Sequence, residues 1–378
     1  MATEYLTNDI ELTSVADAIR EKGGTSDPLT YPDGFASAVR AIQTGIVPQL
    51  VVTVSAGATV TATNGSKTIS GTSDSTGVCT LIVPEIGTWS VSATLDGKTS
   101  DTKAVTITDS YAVSLYFVSS TLNDNEWSVI KSVSDAGQGA NYWSIGDRKE
   151  VILDGTVGHL ALSNYTTYAF IIGFNHNQEL EGTNRIHFQL AKTALSGGTD
   201  VCFCDSYYTS PVSTTGHFSM NSSATNSGGW ENSQMRTNIC GTSLSNYSGT
   251  MIAVIPDALR AVLKSVTKYT DNTGNNSTSA SAVTATKDYF FLLSEFEVFG
   301  SISRANSNEA SKQAQYAYYS AGNSKVKYKH NGTSTAARWW LRSPLASNSD
   351  GFEDVNTNET VEDRTARASF GFAPGFCV

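Results

Sequence analysis

The sequence predicts an α+β protein made of three successive parts: a short helical segment, a small all-β sandwich and a larger mixed domain. Two stretches with helical spacing open the chain of 378 residues. A run of strand-like segments follows, with turn residues about every 8–12 positions. Beyond it, helical and strand patterns alternate with long stretches rich in Ser, Asn and Thr. We place the three parts at residues 1–46, 47–118 and 119–378.

Charge and hydropathy exclude two classes of partner. A net charge of −10 argues against nucleic acid. No segment approaches about 18 consecutive apolar residues, so we predict no transmembrane helix and no membrane insertion. The opening "MATEYLTNDIELTS" lacks a basic stretch followed by an apolar one, which predicts synthesis in the cytoplasm without a signal peptide.

The cysteines are odd in number and irregularly spaced, and without an export signal this pattern predicts thiols rather than a disulfide framework. They are Cys79, Cys202, Cys204, Cys240 and Cys377.

The helical segment is predicted from apolar residues that share one face of each helix. In the first helix these are Leu12, Val15, Ala16 and Ile19; in the second they are Phe35, Val39 and Ile42. Ser14 with Asp17 forms a capping-box pattern, and Gly23 and Gly45 are the expected C-terminal stops. So few apolar residues cannot form much of a core alone. The segment is therefore either a cap on the next domain or an attachment segment that packs on another chain. It resembles N-terminal segments of phage structural proteins.

The sandwich is predicted from strict alternation of apolar and polar residues. The clearest example is Trp89, Val91, Ala93 and Leu95 in "TWSVSATLDGK". About 70 residues of this pattern are typical of a small β-sandwich. The run "STGVCTLIVPEIGTWSVSA" resembles bacterial Ig-like or prealbumin-like spacer modules, so we expect a spacer with no ligand of its own.

The large domain opens with a predicted helix whose inward residues are Trp127, Ile130 and Val133. Strands are predicted at "EVILDG", "GHLALSNY", "YAFIIGFNH" and "RIHFQLAK", and a helix at "PDALRAVLKSV". The most apolar stretch, "DYFFLLSEFEVFG", should lie in the core.

The C-terminus carries a weakly patterned stretch between two rigid ones. In "WWLRSP" the adjacent Trp residues should point to opposite faces of a strand, one into the core and one toward a partner or loop. Arg342 should satisfy carbonyls or a carboxylate. "GFAPGFCV" alternates Phe with Gly and Pro. Between them the expected inward residues are Phe352, Val355, Val361 and Ala366, and six acids stand against Arg364 and Arg367.

These C-terminal motifs, with "GFNHN", "GGWENSQMR", "KYTDN" and "LLSEFEVFG" upstream, resemble the variable proteins of diversity-generating retroelements over roughly residues 125–378. The resemblance implies a C-type-lectin fold whose C-terminal region is rewritten by error-prone reverse transcription. It places the diversified region at about 338–371. The implied ligand-binding positions are Arg338, Leu345, Ala346, Asn348, Ser349, Asp350, Gly351, Glu353, Asp354, Asn356, Asn358, Glu359, Glu362, Asp363, Arg364, Arg367 and Ser369. The implied scaffold is Trp339, Trp340, Leu341, Arg342, Phe352, Val355, Phe372 and Phe376.

The resemblance therefore predicts a phage receptor-binding protein, carried in the virion, that displays its variable surface to a bacterial surface protein or glycan. Its N-terminal segment would join other tail proteins, and we expect a homo-oligomer, with a trimer favoured. The acidic excess suggests a partner with positive charge or many hydrogen-bond donors.

Two alternatives remain at this stage: an oxidase of the formylglycine-generating type and a structural tail decoration protein. The oxidases of that type use a cysteine pair, whereas Cys202 and Cys204 read as buried residues of one strand. The chain has no G-x-S-x-G elbow and no P-loop, and its five histidines lack zinc spacing. We predict that the protein is not an enzyme and has no cofactor. Calcium is the one ion considered, because oxygen ligands are abundant from Asn348 to Glu359, although an EF-hand does not fit them.

Overall fold

The computed structural model of the protein describes residues 9–23, 26–42, 47–65, 67–209 and 214–378. The chain divides into two compact units, Met1–Phe117 and Val118–Val378. The first unit holds both the helical segment and the sandwich. Helices and several separate sheets occur together, so the fold class is α+β.

Two helices precede the sandwich: α1 (Asp9–Glu21) and α2 (Asp33–Ala41). Ala16, Ile19 and Ala38 are their buried residues, whereas Val15 and Val39 are about half exposed, so the buried stripes are narrower than predicted. The predicted cap at Ser14 is wrong, because α1 already begins at Asp9 and Ser14 lies inside it. Gly23 follows the end of α1 with a φ of +81°, a conformation that glycine adopts without strain. The predicted stop at Gly45 lies outside the described residues.

The sandwich contains two sheets. Its strands are β1 (Gln49–Thr53), β2 (Thr59–Asn64), β3 (Lys67–Thr72), β4 (Val78–Ile82), β5 (Gly87–Leu95), β6 (Lys98–Thr99), β7 (Lys103–Ile107) and β8 (Tyr111–Ser114). One sheet has the order β4-β1-β8, and the other has β3-β2-β5 with β6 and β7 also paired to β5. Inward residues such as Val52, Trp89 and Val91 form a separate core, as the alternation predicts. The sequence analysis does not predict strand β3, because none of its side chains is buried.

The second unit has many short elements. Its α-helices are α3 (Trp127–Asp135), α4 (Gly139–Tyr142), α5 (Gln178–Glu181), α6 (Met251–Val254), α7 (Asp257–Arg260), α8 (Glu295–Phe299) and α9 (Ala317–Ser320). Short 3-10 helices lie at Leu122–Asp124, Ala280–Ala282 and Ser307–Lys312, and a π-helix at Met235–Cys240.

The strands of this unit are β9 (Arg148–Val157), β10 (Leu160–Phe174), β11 (Ile186–Lys192), β12 (Val201–Cys202), β13 (Val266–Asp271), β14 (Val283–Asp288), β15 (Phe290–Phe291), β16 (Lys327–Lys329), β17 (Gly332–Ala337), β18 (Trp339–Pro344), β19 (Gly351–Val355), β20 (Val361–Thr365) and β21 (Gly375–Cys377). They form sheets with the orders β15-β21-β11-β10-β9, β12-β16-β17, β13-β14 and β18-β19-β20.

The C-terminal strand β21 lies between β15 and β11 in the largest sheet. The ring of Phe376 stacks on that of Phe188 with centroids 5.2 Å apart, and Trp127 packs edge-on against both. Trp127, Ile130 and Val133 are buried on α3, as the sequence predicts. The end of the chain is therefore part of the central core rather than a tail.

Two local predictions need correction. "GHLALSNY" and "YAFIIGFNH" belong to one strand, β10, which continues through a register shift between Leu162 and Tyr165. The helix predicted at "PDALRAVLKSV" covers only Asp257–Arg260, because Val266 already pairs with Asp288 in the β13–β14 hairpin. Among the described residues, no helix is long and apolar enough to cross a membrane.

Candidate functional site

Strand β18 forms a rigid base for the C-terminal surface. Trp339 and Trp340 are both fully buried, so neither faces an open surface, and Trp339 contacts the loop that contains Lys325. They point to opposite faces of the strand, but both faces are covered. The Trp339 indole donates to the carbonyl of Lys325 at 2.9 Å, and that of Trp340 to the carbonyl of Phe218 at 2.8 Å.

Arg342 anchors the same strand through a buried network. Its guanidinium binds both carboxylate oxygens of Glu297, at 2.5 and 2.9 Å, and donates to the Leu292 carbonyl at 2.9 Å. Burial alone would raise the pKa of Glu297, but Arg342 and Lys268 together hold it well below its ordinary range. Both groups of this pair therefore stay charged inside the core.

The structure divides the implied ligand-binding positions into two groups. Those that are at least partly exposed are Ala346, Asn348, Ser349, Asp350, Asn356, Asn358, Glu359, Glu362, Asp363, Arg364 and Arg367. Those that are buried are Arg338, Leu345, Gly351, Glu353, Asp354 and Ser369. The implied scaffold residues are all buried.

Arg338 and Asp354 are buried because they pair with each other. Nε and Nη2 of Arg338 bind the two oxygens of Asp354 at 2.7 and 2.9 Å, and Nη1 reaches Asn356 at 3.3 Å. Burial raises the pKa of Asp354 to about 6, although the Arg338 hydrogen bonds lower it. The pair holds β19 to the start of β18 and leaves neither charge for a ligand.

The other inward positions have local causes. A side chain at Gly351 would place its Cβ 2.9 Å from the carbonyl oxygen of Arg364 on the adjacent strand. The Ser369 hydroxyl donates to the buried carboxylate of Asp205 at 2.9 Å. Leu345 is almost fully buried but still lines the groove described below.

Glu353 is the least expected of the buried residues. It is fully buried on β19, and neither carboxylate oxygen has a hydrogen-bond partner among the described residues. Burial, together with the nearby carboxyls of Glu295 and Glu309, raises its pKa well above the ordinary value. Glu353 therefore lies beneath the surface rather than on it.

A groove of about 640 Å³ lies along this surface. Residues 345–347 and Val361 line it from the implied region, and Thr278 and residues 303–305 line it from elsewhere in the chain. The Arg304 guanidinium pairs with Asp363 and, at 3.5 Å, with Glu362 on β20. Sequence reasoning missed Thr278, Ser303 and Arg304, since no local pattern links these loops to a segment some 40 residues or more further along the chain.

The surface carries less negative charge than its composition suggests. Of the six acids, Glu353 and Asp354 face inward, which leaves Asp350, Glu359, Glu362 and Asp363. Three arginines lie on the same surface: Arg304, Arg364 and Arg367. The net charge of these seven side chains is −1. This small excess weakens the argument from charge for a positively charged partner and leaves a partner with many hydrogen-bond donors as an expectation.

Metal-binding chemistry is concentrated elsewhere, in the core. His176, Glu181 and His187 place possible ligand atoms within 4.8 Å of one another. The Lys268 ammonium lies 2.8 Å from Glu181 and 2.9 Å from Glu297, so a cation already balances these carboxylates. Within the described part of Asn348 to Glu359, no three side chains of the metal-binding types approach this closely.

The cysteines are free thiols, and all of them are buried. The Sγ atoms of Cys202 and Cys204 lie 4.0 Å apart. A hydrogen bond with Cys202 and burial raise the pKa of the Cys204 thiol far above its ordinary value. The pair packs like small apolar side chains.

Part of the second unit matches a known protein-family model. Residues 205–378 match the model described as a domain of unknown function, DUF6273. The match spans 174 of the 378 residues and includes the groove and the whole β18-β19-β20 sheet. No curated protein matches the chain.

Proposed function

We propose that the protein is a receptor-binding protein that displays a diversified surface on a rigid α+β domain of the C-type-lectin kind. The observation that supports this most is the contrast within one short stretch. The flanking segments Trp339–Pro344 and 370–378 are buried throughout, while the loops and edge strand between them are partly exposed. Binding residues on loops held by a rigid scaffold follow the same arrangement.

The groove supports binding rather than a passive surface. Its volume of about 640 Å³ lies within the range of ligand sites, about 300–1,000 Å³. Ala305, Leu345, Ala346 and Val361 provide apolar walls, and Thr278, Ser303 and Ser347 provide hydroxyls. A protein side chain or a sugar of a bacterial surface receptor would find both kinds of contact there. With a net surface charge of −1, recognition would depend on shape and hydrogen bonds more than on charge.

The wider setting rests on the sequence resemblance. We propose that the protein is carried in a phage virion and that α1 and α2 attach it to other tail proteins as a homotrimer. The exposed apolar side chains Ile10, Val15 and Val39 on these helices support a packing partner. The sandwich would then act as a spacer.

The experiment is a binding assay with fluorescently labelled protein on a panel of intact bacteria. Substitutions at Asn348, Asn358 and Arg367 should reduce or redirect binding without changing the melting temperature. The matched control is Tyr111→Ser, an exposed change in the sandwich, which should leave binding intact. Binding unaffected by every surface substitution, but lost with the sandwich variant, would contradict the proposal.

A further inference from the structure

A second cavity, of about 280 Å³, lies where Tyr207 and residues 215–217 meet the π-helix Met235–Cys240. None of the described residues that line it also lines the groove. Its volume is just below the range of sites for drug-sized ligands, about 300–1,000 Å³. The cavity therefore suits a ligand of one small ring.

One wall of this cavity presents two side-chain amides on a fixed helix. Gln234 directly precedes the π-helix and Asn238 lies within it, and both side chains are exposed. The helix is held in place by Arg236, which binds the buried carboxylate of Asp288 at 2.6 Å. π-Helices are rare and occur frequently at functional sites.

The polar groups of the cavity keep unused hydrogen-bonding capacity. The amide nitrogen of Gln234 donates to the Ser222 hydroxyl at 3.0 Å, and the amide oxygen of Asn238 accepts from Thr237 at 3.0 Å. Oε1 of Gln234, Nδ2 of Asn238 and the Tyr207 hydroxyl have no hydrogen-bond partner in the part of the chain that the structure describes. An acceptor, a donor and a hydroxyl that can be either thus remain for a ligand.

Another wall carries aromatic rings. The ring centroids of Tyr207 and His217 lie 6.4 Å apart, and His159 packs against both. Tyr207 is 40% exposed, so part of its ring is open to solvent. An open aromatic ring is an apolar surface with a polar tip, which suits a ligand that has both kinds of group.

A buried carboxylate positions the aromatic wall. Asp205 accepts hydrogen bonds from the backbone N–H groups of Tyr207 at 2.8 Å and Phe218 at 2.7 Å. It also accepts the Ser369 hydroxyl at 2.9 Å. The turn that carries Tyr207 and the segment that carries His217 are thus joined to each other and to the end of the implied region.

The lining favours an uncharged polar ligand. No Lys, Arg, Asp or Glu is among the described residues that line the cavity, so a charged ligand would find no counter-charge there. His159 and His217 have no third metal-binding side chain close to them within the described ranges, so a metal ion would lack ligands. A purely apolar ligand would leave the two amides unpaired, which costs free energy.

We propose that this cavity binds one uncharged sugar residue. Gln234 and Asn238 would form hydrogen bonds with its hydroxyl groups, and the Tyr207 ring would pack against its C–H groups. The site goes beyond the proposed function, because it requires no diversified surface. A ligand of about a dozen non-hydrogen atoms gains little free energy from so small a contact, so we expect a Kd in the millimolar range.

The test is saturation-transfer difference NMR of the full chain with the methyl glycosides of glucose, galactose, mannose and N-acetylglucosamine. At least one of the four should bind. Asn238→Ala should raise its Kd about threefold to tenfold, as expected for the loss of one hydrogen bond. Tyr207→Ala should weaken binding at least as much, whereas Tyr207→Phe, which keeps the ring, should retain most of it. The matched control is Asn246→Ala, an exposed asparagine outside the cavity, which should leave the Kd unchanged.

Two results would overturn the sugar site. The absence of transfer from the wild type to any of the four glycosides is decisive whether or not the variants fold. Binding that is as strong in Asn238→Ala and Tyr207→Ala as in Asn246→Ala would place the sugar elsewhere on the protein. Neither result touches the proposed receptor binding, which is tested on cells with variants at Asn348 and Asn358, and loss of cell binding in those variants leaves the sugar site standing.

Discussion

Replacing Asp354 with alanine would leave the Arg338 guanidinium buried without its counter-ion. The Asp354 side chain is fully buried and that of Arg338 only 11% exposed, and two hydrogen bonds of 2.7 and 2.9 Å join them. Breaking a buried pair by removing one partner costs about 3–5 kcal/mol. At roughly 2–4 °C per kcal/mol for a large domain, Asp354→Ala should lower the melting temperature by about 6–20 °C.

Asp363→Ala is the matched control on the neighbouring strand. Asp363 also pairs with an arginine, Arg304, but the two side chains are 29% and 35% exposed. Exposed pairs contribute about 0–1 kcal/mol. Arg304 also keeps Glu362, so the expected shift is no more than a few degrees.

Differential scanning calorimetry of the full chain at pH 7 would measure both variants, together with the double variant Arg338→Met/Asp354→Leu. Removing both charges with apolar replacements should recover most of the lost stability. A shift in the melting temperature of Asp354→Ala as small as that of Asp363→Ala, together with changed cell binding, would contradict this expectation. Asp354 would then be a display residue, as the sequence resemblance implies.

Three further predictions concern the frame, the pH dependence and the first unit. Trp340→Ala should lower the free energy of unfolding by about 3–5 kcal/mol and Asn358→Ala by about 0.5 kcal/mol or less, as measured by chemical denaturation. Equal losses would contradict the distinction between buried scaffold residues and exposed binding residues. Burial raises the pKa of Glu309 to about 7, so its contribution to stability is present below about pH 4.3 and is lost as pH rises through 7. The melting temperature of the wild type should therefore fall between pH 5 and pH 8, and that of Glu309→Gln should fall less. An equal fall in both proteins would show that Glu309 does not cause the pH dependence. Deleting residues 1–46 should leave the melting transition of Val118–Val378 unchanged while light scattering shows loss of the oligomer; a monomeric full-length chain would contradict this role.

Sequence reasoning succeeds where one face of an element meets the core and the other meets water. The spacing of Trp127, Ile130 and Val133 predicts α3, and the alternation around Trp89 predicts β5, because burial in these elements follows the period of the backbone. The same reasoning predicts the C-terminal scaffold residues Phe372 and Phe376, since they lie among small residues that allow close packing.

It fails where both faces of a polar element are covered. Strand β19 reads "GFEDV", and an alternating pattern would expose Glu353 if Phe352 faced inward. In the structure β18 and β20 flank the strand, Arg338 pairs with Asp354, and Glu295 and Arg304 are among the charged groups near Glu353. These residues lie 16 to almost 60 positions away in the sequence, so no local sequence pattern predicts the contacts.

We propose that variation is confined to the exposed positions of the C-terminal surface. Deep sequencing of this gene across a natural population, together with the DNA beside it, would test this proposal. We expect a near-copy of the segment encoding about residues 338–378 next to a reverse-transcriptase gene. Substitutions should be concentrated at exposed codons such as those of Asn348, Asn358 and Arg367, with Trp340, Glu353 and Asp354 constant. Substitutions spread evenly over buried and exposed codons, with no such copy nearby, would contradict it.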